Sequence, residues 1–405
     1  MKRRTTLLVT LLFLLVFTLA VVPAGAQEDS ILIWGFSTHT QGILRLAEQF
    51  EEEFGVAVEY QELPFDQIPN EVINSAPVGE GPDVFLTFTV TQLVDNGVIE
   101  PIDLTGMEDQ FQSSSLQLFN YQGQNWALPF AYENVAFVRN VDLVPEAPAT
   151  WDEVREISTQ IIESGAARYG YVPFFGDPYH QYPMWSAFGT YMFGQNEDGS
   201  VNLDDIGLNS EGGLRSAQWL SDYYADGLAD ADMGDEVILG LFEEGQIAMF
   251  VTGPWWSQRL IDSGINYSID RLPGVEGVTE HGSAMMSGYG FAINAFSEKK
   301  LLAEAFVLDF MMRPDTMETL LTGGESGSAL TRFPAFNGVE IEGDPNLPGF
   351  MAAAETAIIS PNVPVFGTLY TAWANATILI AQGEDPVETM NNVVEQVRAE
   401  IEASQ

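Results

Sequence analysis

Residues 31–60 read ILIWGFSTHTQGILRLAEQFEEEFGVAVEY. Ile31-Leu32-Ile33-Trp34 is a short apolar run, which reads as a strand. Ile43, Leu46, Ala47, Phe50 and Phe54 then fall on one face of a helix, and Gly55 stands where a helix ends in the left-handed conformation. Val56 to Tyr60 forms a second strand and Asp83-Val84-Phe85-Leu86 a third. Strand, helix and strand in alternation are the pattern of an open sheet covered by helices, so the fold class is α/β. Further on, Thr150-Trp151-Asp152-Glu153 is a capping box opening a helix. Asp385-Pro386-Val387-Glu388 opens the last one, whose Met390, Val393, Val394, Val397 and Ile401 turn inward. Asn196-Glu197-Asp198-Gly199-Ser200 is a hairpin turn, acidic but without the ligand spacing of a calcium loop. No Gly/Ser-rich or Pro-rich linker divides the chain. For 405 residues that implies lobes joined by several crossing segments.

The chain begins Met1-Lys2-Arg3-Arg4, runs apolar from Leu7 to Val22 and reaches Ala24-Gly25-Ala26. This is the pattern of a secretory signal peptide over residues 1–26, with Gln27 as the expected mature start. There is no cysteine, hence no disulfide and no residue to carry a lipid anchor, and a free periplasmic location is expected. Losing Lys2, Arg3 and Arg4 takes the formal charge from -43 to -46, with Lys299 and Lys300 the remaining lysines. Such a field repels nucleic acid and anionic membrane surfaces and disfavours an anionic ligand. It reflects either saline surroundings or ligand preference. No Gly-x-Ser-x-Gly elbow and no His-Glu-x-x-His helix occurs, and His39, His180 and His281 are scattered, so an enzyme is not expected. Metal and cofactor are expected to be absent. Adjacent Tyr223 and Tyr224 could hold ferric ion, but their place at a helix end points to packing.

Several segments, in order, carry a family likeness. They are Ile31-Leu32-Ile33-Trp34, Gly81-Pro82-Asp83-Val84-Phe85, the run from Trp126 to Glu133, Arg139-Asn140-Val141-Asp142-Leu143, the run from Leu241 to Met249 into Thr252-Gly253-Pro254-Trp255, and Pro361-Asn362-Val363-Pro364. Over nearly the whole chain beyond its leader, this resembles the maltose-binding protein family, the solute receptors of ABC sugar importers. The resemblance implies a two-lobed type II periplasmic-binding-protein fold with a ligand cleft, crossed near Ala131–Asn134, Ser283–Phe291 and Ser328–Pro334. The first lobe would hold residues 27–131 and 287–332, the second 132–286 and 333–405. It also implies a sugar ligand, permease subunits in the inner membrane as partners, and a monomer. A polyamine receptor of the same fold is the alternative, since aromatic walls and acids can hold a cation.

A sugar site needs flat apolar faces for the rings and polar groups for the hydroxyls. By resemblance, Trp255 is a stacking tryptophan, Tyr370 a second stacking aromatic and Tyr179 an aromatic beneath the ring. Asp177 and Glu133 would accept bonds from hydroxyls. Trp373 shares the helical face of Tyr370 and is either ligand wall or core. His39 and His180 could line the cleft by position. The sequence departs from the family where Thr87 or Phe88 stands in place of a tryptophan and an Asp-Arg pair, and where Ala374 replaces an arginine. Those departures leave the identity of the sugar open.

Overall fold

The computed structural model describes residues 30–322, 332–339, 341 and 344–404. The expected signal peptide lies outside them, as does the 328–331 portion of the third expected crossing. Strand β1 (Ser30–Gly35), helix α1 (Thr40–Phe54), strand β2 (Ala57–Glu62) and strand β3 (Val84–Thr87) follow the opening pattern. Ile43, Leu46, Ala47 and Phe50 are the buried face of α1, and Gly55 ends it at φ 68° with its N–H on the Glu51 carbonyl. Next come β4 (Leu128–Glu133) and β5 (Ala136–Asn140). Helix α2 (Trp151–Ser164) opens on the Thr150 hydroxyl, which accepts the Glu153 N–H at 3.2 Å, while Glu153 reaches back to the Ala149 N–H at 2.7 Å. β6 (Tyr169–Val172), α3 (Pro178–Ala187), β7 (Ile247–Thr252) and β8 (Tyr267–Asp270) build the same region. β9 (Met285–Ile293), β10 (Phe333–Pro334), β11 (Ile358–Ile359), α4 (Phe366–Ala381) and α5 (Pro386–Ser404) complete the elements that concern the site.

Two main sheets result. The first has the order β10-β4-β9-β3-β1-β2, with β11 beside β9; the second has the order β8-β5-β7-β6. β1 is parallel to both β2 and β3, and β7 is parallel to β6. Each sheet has its own core. One gathers Ile31, Phe50, Phe85, Phe130, Phe291 and Phe306, the other Phe137, Trp151, Trp185, Phe250, Trp373 and Val397. Two sheets, each covered by helices and closed around a separate core, make the two lobes of the α/β fold.

The chain changes core between Ala131 and Val135 and again between Met285 and Met286. Its return differs from the expected boundary at 332/333. Phe333 joins the second core, but Phe336 and Val339 go back to the first; Phe350 and Ala353 lie in the second, Ile359 of β11 packs against the first once more, and from Val365 on the buried residues belong to the second. The reason is local. β10 pairs antiparallel with β4, and the Ala335 N–H donates to the Phe130 carbonyl at 3.0 Å, which holds the following residues on the first sheet. β4, β9 and β10 thus lie side by side where the lobes meet, with Ser287 opposite Glu133 and Phe333 opposite Tyr132.

Candidate functional site

In open α/β sheets ligands sit beyond the carboxyl ends of parallel strands. In the second lobe those ends belong to β6 and β7. After β6 the chain turns through Gly176 (φ 70°) into α3, where Asp177 is the N-cap. Its Oδ1 accepts the Tyr179 N–H at 2.8 Å and the Tyr370 hydroxyl at 2.9 Å, and its Oδ2 faces His180 Nδ1 at 2.5 Å. Burial alone would raise this carboxyl; His180, Tyr370 and the Tyr179 amide outweigh it and hold it at about 2. After β7 comes Gly253-Pro254-Trp255. The Trp255 ring lies across Gly253 so closely that a Cβ there would sit 2.0 Å from Cζ3. Trp255 stands 6.1 Å from the Tyr179 ring at 39° and meets His180 edge-on at 5.5 Å. Trp255, Tyr179 and Tyr370 all stay partly exposed. The Tyr179 hydroxyl is buried without a partner. Its burial, then the nearby Glu133, Tyr289, Tyr370 and Asp177, push it well above the usual phenol range, so it is a neutral donor.

In the first lobe, the ends of β1, β2 and β3 are followed by Phe36, Phe65 and Phe88. Phe65 stacks on Phe88 at 4.3 Å and meets Phe36 edge-on at 5.0 Å, with 37% of Phe65 still exposed. Thr87, expected at a ligand, is 1% exposed, and its hydroxyl closes a local turn by donating to the Thr89 carbonyl at 2.6 Å. His39 is wholly buried among Phe36, Phe130 and Tyr289 at 4.9–5.4 Å. Burial, then the Arg332 charge, drives its pKa well down, so it packs as a neutral ring.

At the lobe boundary Glu133 is 3% exposed. Its Oε2 is 2.8 Å from Arg332 Nε, and its Oε1 accepts the Tyr289 hydroxyl. Arg332 also lies over the Tyr289 ring, 5.2 Å from its centre. Oε1 is thus engaged internally, whereas Oε2, although beside the guanidinium, is buried without a hydrogen bond among the described residues. Trp373 resolves to core: it is 0% exposed and meets Trp185 edge-on at 5.2 Å.

Trp255, Tyr179, Asp177 and Tyr370 are thus brought together as one cluster, whereas Trp373, Thr87 and His39 are buried away from it. The expectation missed Phe36, which follows β1 directly and so carries a legible signal, and Phe65, which stands three residues past the end of β2. It also missed Arg332 and Tyr289, for which no local signal exists. Among the described residues no group of acids and histidines could hold a metal. Tyr223 packs in the core and donates to the Tyr171 carbonyl at 2.8 Å. Two surface hollows, of about 760 and 670 Å³ and lined by residues 149–156 with 275–280 and by residues 101–125, contain no aromatic lining residue. Neither offers a stacking face. Partly exposed aromatic faces beside a buried, unpartnered hydroxyl are chemistry suited to a neutral molecule with apolar ring faces and polar edges.

Residues 45–349 match the family model for bacterial extracellular solute-binding proteins. The galactooligosaccharide-binding protein of Bacillus subtilis is 26% identical over 94% of this chain and 91% of its own length. The maltotriose-binding protein of Pyrococcus abyssi is 25% identical over 86% of this chain and 76% of its own. The maltodextrin-binding protein of Bacillus subtilis is 23% identical over 91% and 89%.

Proposed function

The chain belongs to the bacterial extracellular solute-binding proteins, and from that premise we propose that it is the carbohydrate receptor of an ABC importer, taking an oligosaccharide into the cleft between its lobes. One observation carries the ligand class. The partly exposed rings of Trp255, Tyr179 and Tyr370 gather beside Asp177, whose carboxylate is already occupied by the Tyr179 amide, the Tyr370 hydroxyl and His180, so the cluster offers stacking faces around an acid bound by internal partners. A polyamine would need an uncompensated acid, and the other carboxylate at the boundary, Glu133, is neutralised by Arg332.

In this reading the open receptor samples a closed form, and a ligand touching both lobes shifts the population toward it. Phe65 and Phe88 supply the facing contacts from the first lobe. The protein performs no catalysis; it acts as a monomer and hands its ligand to the permease subunits. A thermal-shift screen against galactooligosaccharides, maltotriose, maltodextrin and spermidine tests the proposal, because a specific ligand raises the melting point by mass action. One sugar set is expected to raise it, with the shift abolished in Trp255→Ala. A rise with spermidine alone would overturn the sugar reading and leave the receptor intact.

A further inference from the structure

We propose that His180 is a positioning residue of the stacking cluster: it holds the Asp177 carboxylate in the orientation that also receives Tyr370, and it does so from behind the rings, without meeting the ligand. The proposal rests on the reading of that cluster as the ligand wall. Spacing comes first. Asp177 is the N-cap of α3 and His180 stands three residues on, so one turn of helix brings the imidazole to the carboxylate, with Nδ1 2.5 Å from Oδ2. The other oxygen, Oδ1, accepts the Tyr179 N–H at 2.8 Å and the Tyr370 hydroxyl at 2.9 Å. One carboxylate thus ties the start of α3 to α4, and the imidazole fixes its rotation. Burial alone would raise this carboxyl, and His180 leads the groups that hold it instead at about 2. It therefore stays an ionised acceptor, and Nδ1 is the donor.

The imidazole is itself held by rings. Phe174 stacks on it at 3.9 Å and 5°, while Tyr179 and Trp255 meet it edge-on at 5.7 and 5.5 Å. His180 is 5% exposed, whereas Tyr179 and Trp255 stay partly exposed, so the open faces belong to those two rings and not to the imidazole. The loop leading into α3 is closely packed: Gln181 Nε2 donates to the Phe174 carbonyl, and a Cβ on Gly176 would lie 2.8 Å from Ile378 of α4. Among the described residues the His180 Nε2 is buried without a hydrogen-bond partner, which leaves Asp177 as the polar tie of the ring. Without that tie the carboxylate can turn, Tyr370 loses its acceptor, and the wall loosens before any ligand arrives. Preorganisation raises affinity by removing such an ordering cost.

Amide variants separate positioning from contact. An asparagine amide reaches the place of Nδ1 and a glutamine amide that of Nε2, while phenylalanine keeps a ring and neither nitrogen. Maltotriose binding is measured by calorimetry for the unaltered protein, His180→Asn, His180→Gln, His180→Phe, Asp177→Asn and the Asp177→Asn/His180→Phe double variant. His180→Phe should weaken binding about tenfold, the usual effect of losing one hydrogen bond to a charged group. His180→Asn should recover most of that loss and His180→Gln none of it. In the Asp177→Asn background His180→Phe should add little, because a residue that acts through another has no further effect once the other is gone. Unchanged affinity in His180→Phe, binding by His180→Asn no better than by His180→Gln, or full additivity in the double variant overturns the proposal. Crystals of His180→Phe without ligand give a reading that needs no sugar: Tyr370 should part from Asp177, and a bond kept at 2.9 Å overturns the proposal as well. Failure of the unaltered protein to bind maltotriose counts against that sugar alone and leaves His180 to be decided by the crystals.

Discussion

Trp255 and Trp373 are the same residue type set to opposite tasks, and substitution should separate them. Trp373 is fully buried against Trp185 and Tyr182, so Trp373→Ala opens a cavity and should cost about 3–5 kcal/mol in chemical unfolding. Trp255 is partly exposed, and Trp255→Ala should cost much less stability while abolishing the ligand-induced shift. His39 gives a second test through its sign. Its folded pKa lies well below the unfolded value of about 6.5, so the unfolded chain gains a proton first as pH falls. Stability carried by the neutral ring is full above that value and declines below it; His39→Phe should fall less in melting temperature between pH 7.5 and 5.5 than the unaltered protein. Asp177 acts in the other range. Its carboxyl is held at about 2, so its contribution is present above about 4 and lost between 4 and 2. Asp177→Asn should flatten the dependence of the urea midpoint on pH in that window. None of these fates could be read locally. Trp373 and Tyr370 share a helix face in the sequence, and only packing against Trp185 decides which of them is wall and which is core. Glu133 looked free because Tyr289 and Arg332, which engage it, lie 156 and 199 positions away.

At the scale of elements, the site is a set of strand ends, and the residue just past a strand sets the direction of each ring. Gly253 is the sharpest case. Its backbone is extended (φ -110°, ψ -178°), so glycine is not needed for conformation. It is needed for space, because a Cβ would sit 2.0–2.6 Å from three ring atoms of Trp255. Gly253→Ala should therefore swing the indole away and cost as much ligand affinity as Trp255→Ala, with little change in secondary structure by circular dichroism. Retained affinity would mean that the ring can reseat. These elements were largely legible: the 3.6-residue face of α1, the Gly55 stop and the Thr150 cap all stand where periodicity and capping placed them. Which strands would neighbour each other was less so. β10 is two residues long, and it is its pairing with β4, not its own pattern, that returns Phe336 and Val339 to the first core.

For the molecule as a whole, charge is the least balanced quantity: 58 acids face 15 lysines and arginines. The structure spends its few cations well. Arg313 forks onto Glu53, Arg259 bridges Glu236 and Glu243, Arg155 holds Asp226, and Arg139 pairs with Asp270 at 2.8 Å. Most of these pairs are exposed, where an ion pair contributes about 0–1 kcal/mol. Salt can weaken only that small sum. The unpaired acids repel one another across the surface, and this term opposes the compact state. Screening should then raise stability. The Debye length shrinks from about 30 Å at 0.01 M salt to about 10 Å at 0.1 M, so most of the relief comes early. The melting temperature should climb steeply with NaCl up to a few tenths molar and then level off. A continued linear rise toward molar salt would instead indicate exclusion of salt from the surface, as sulfate produces. A fall would mean that the exposed bridges outweigh the repulsion, and the excess of acids would then have to act elsewhere than in folding.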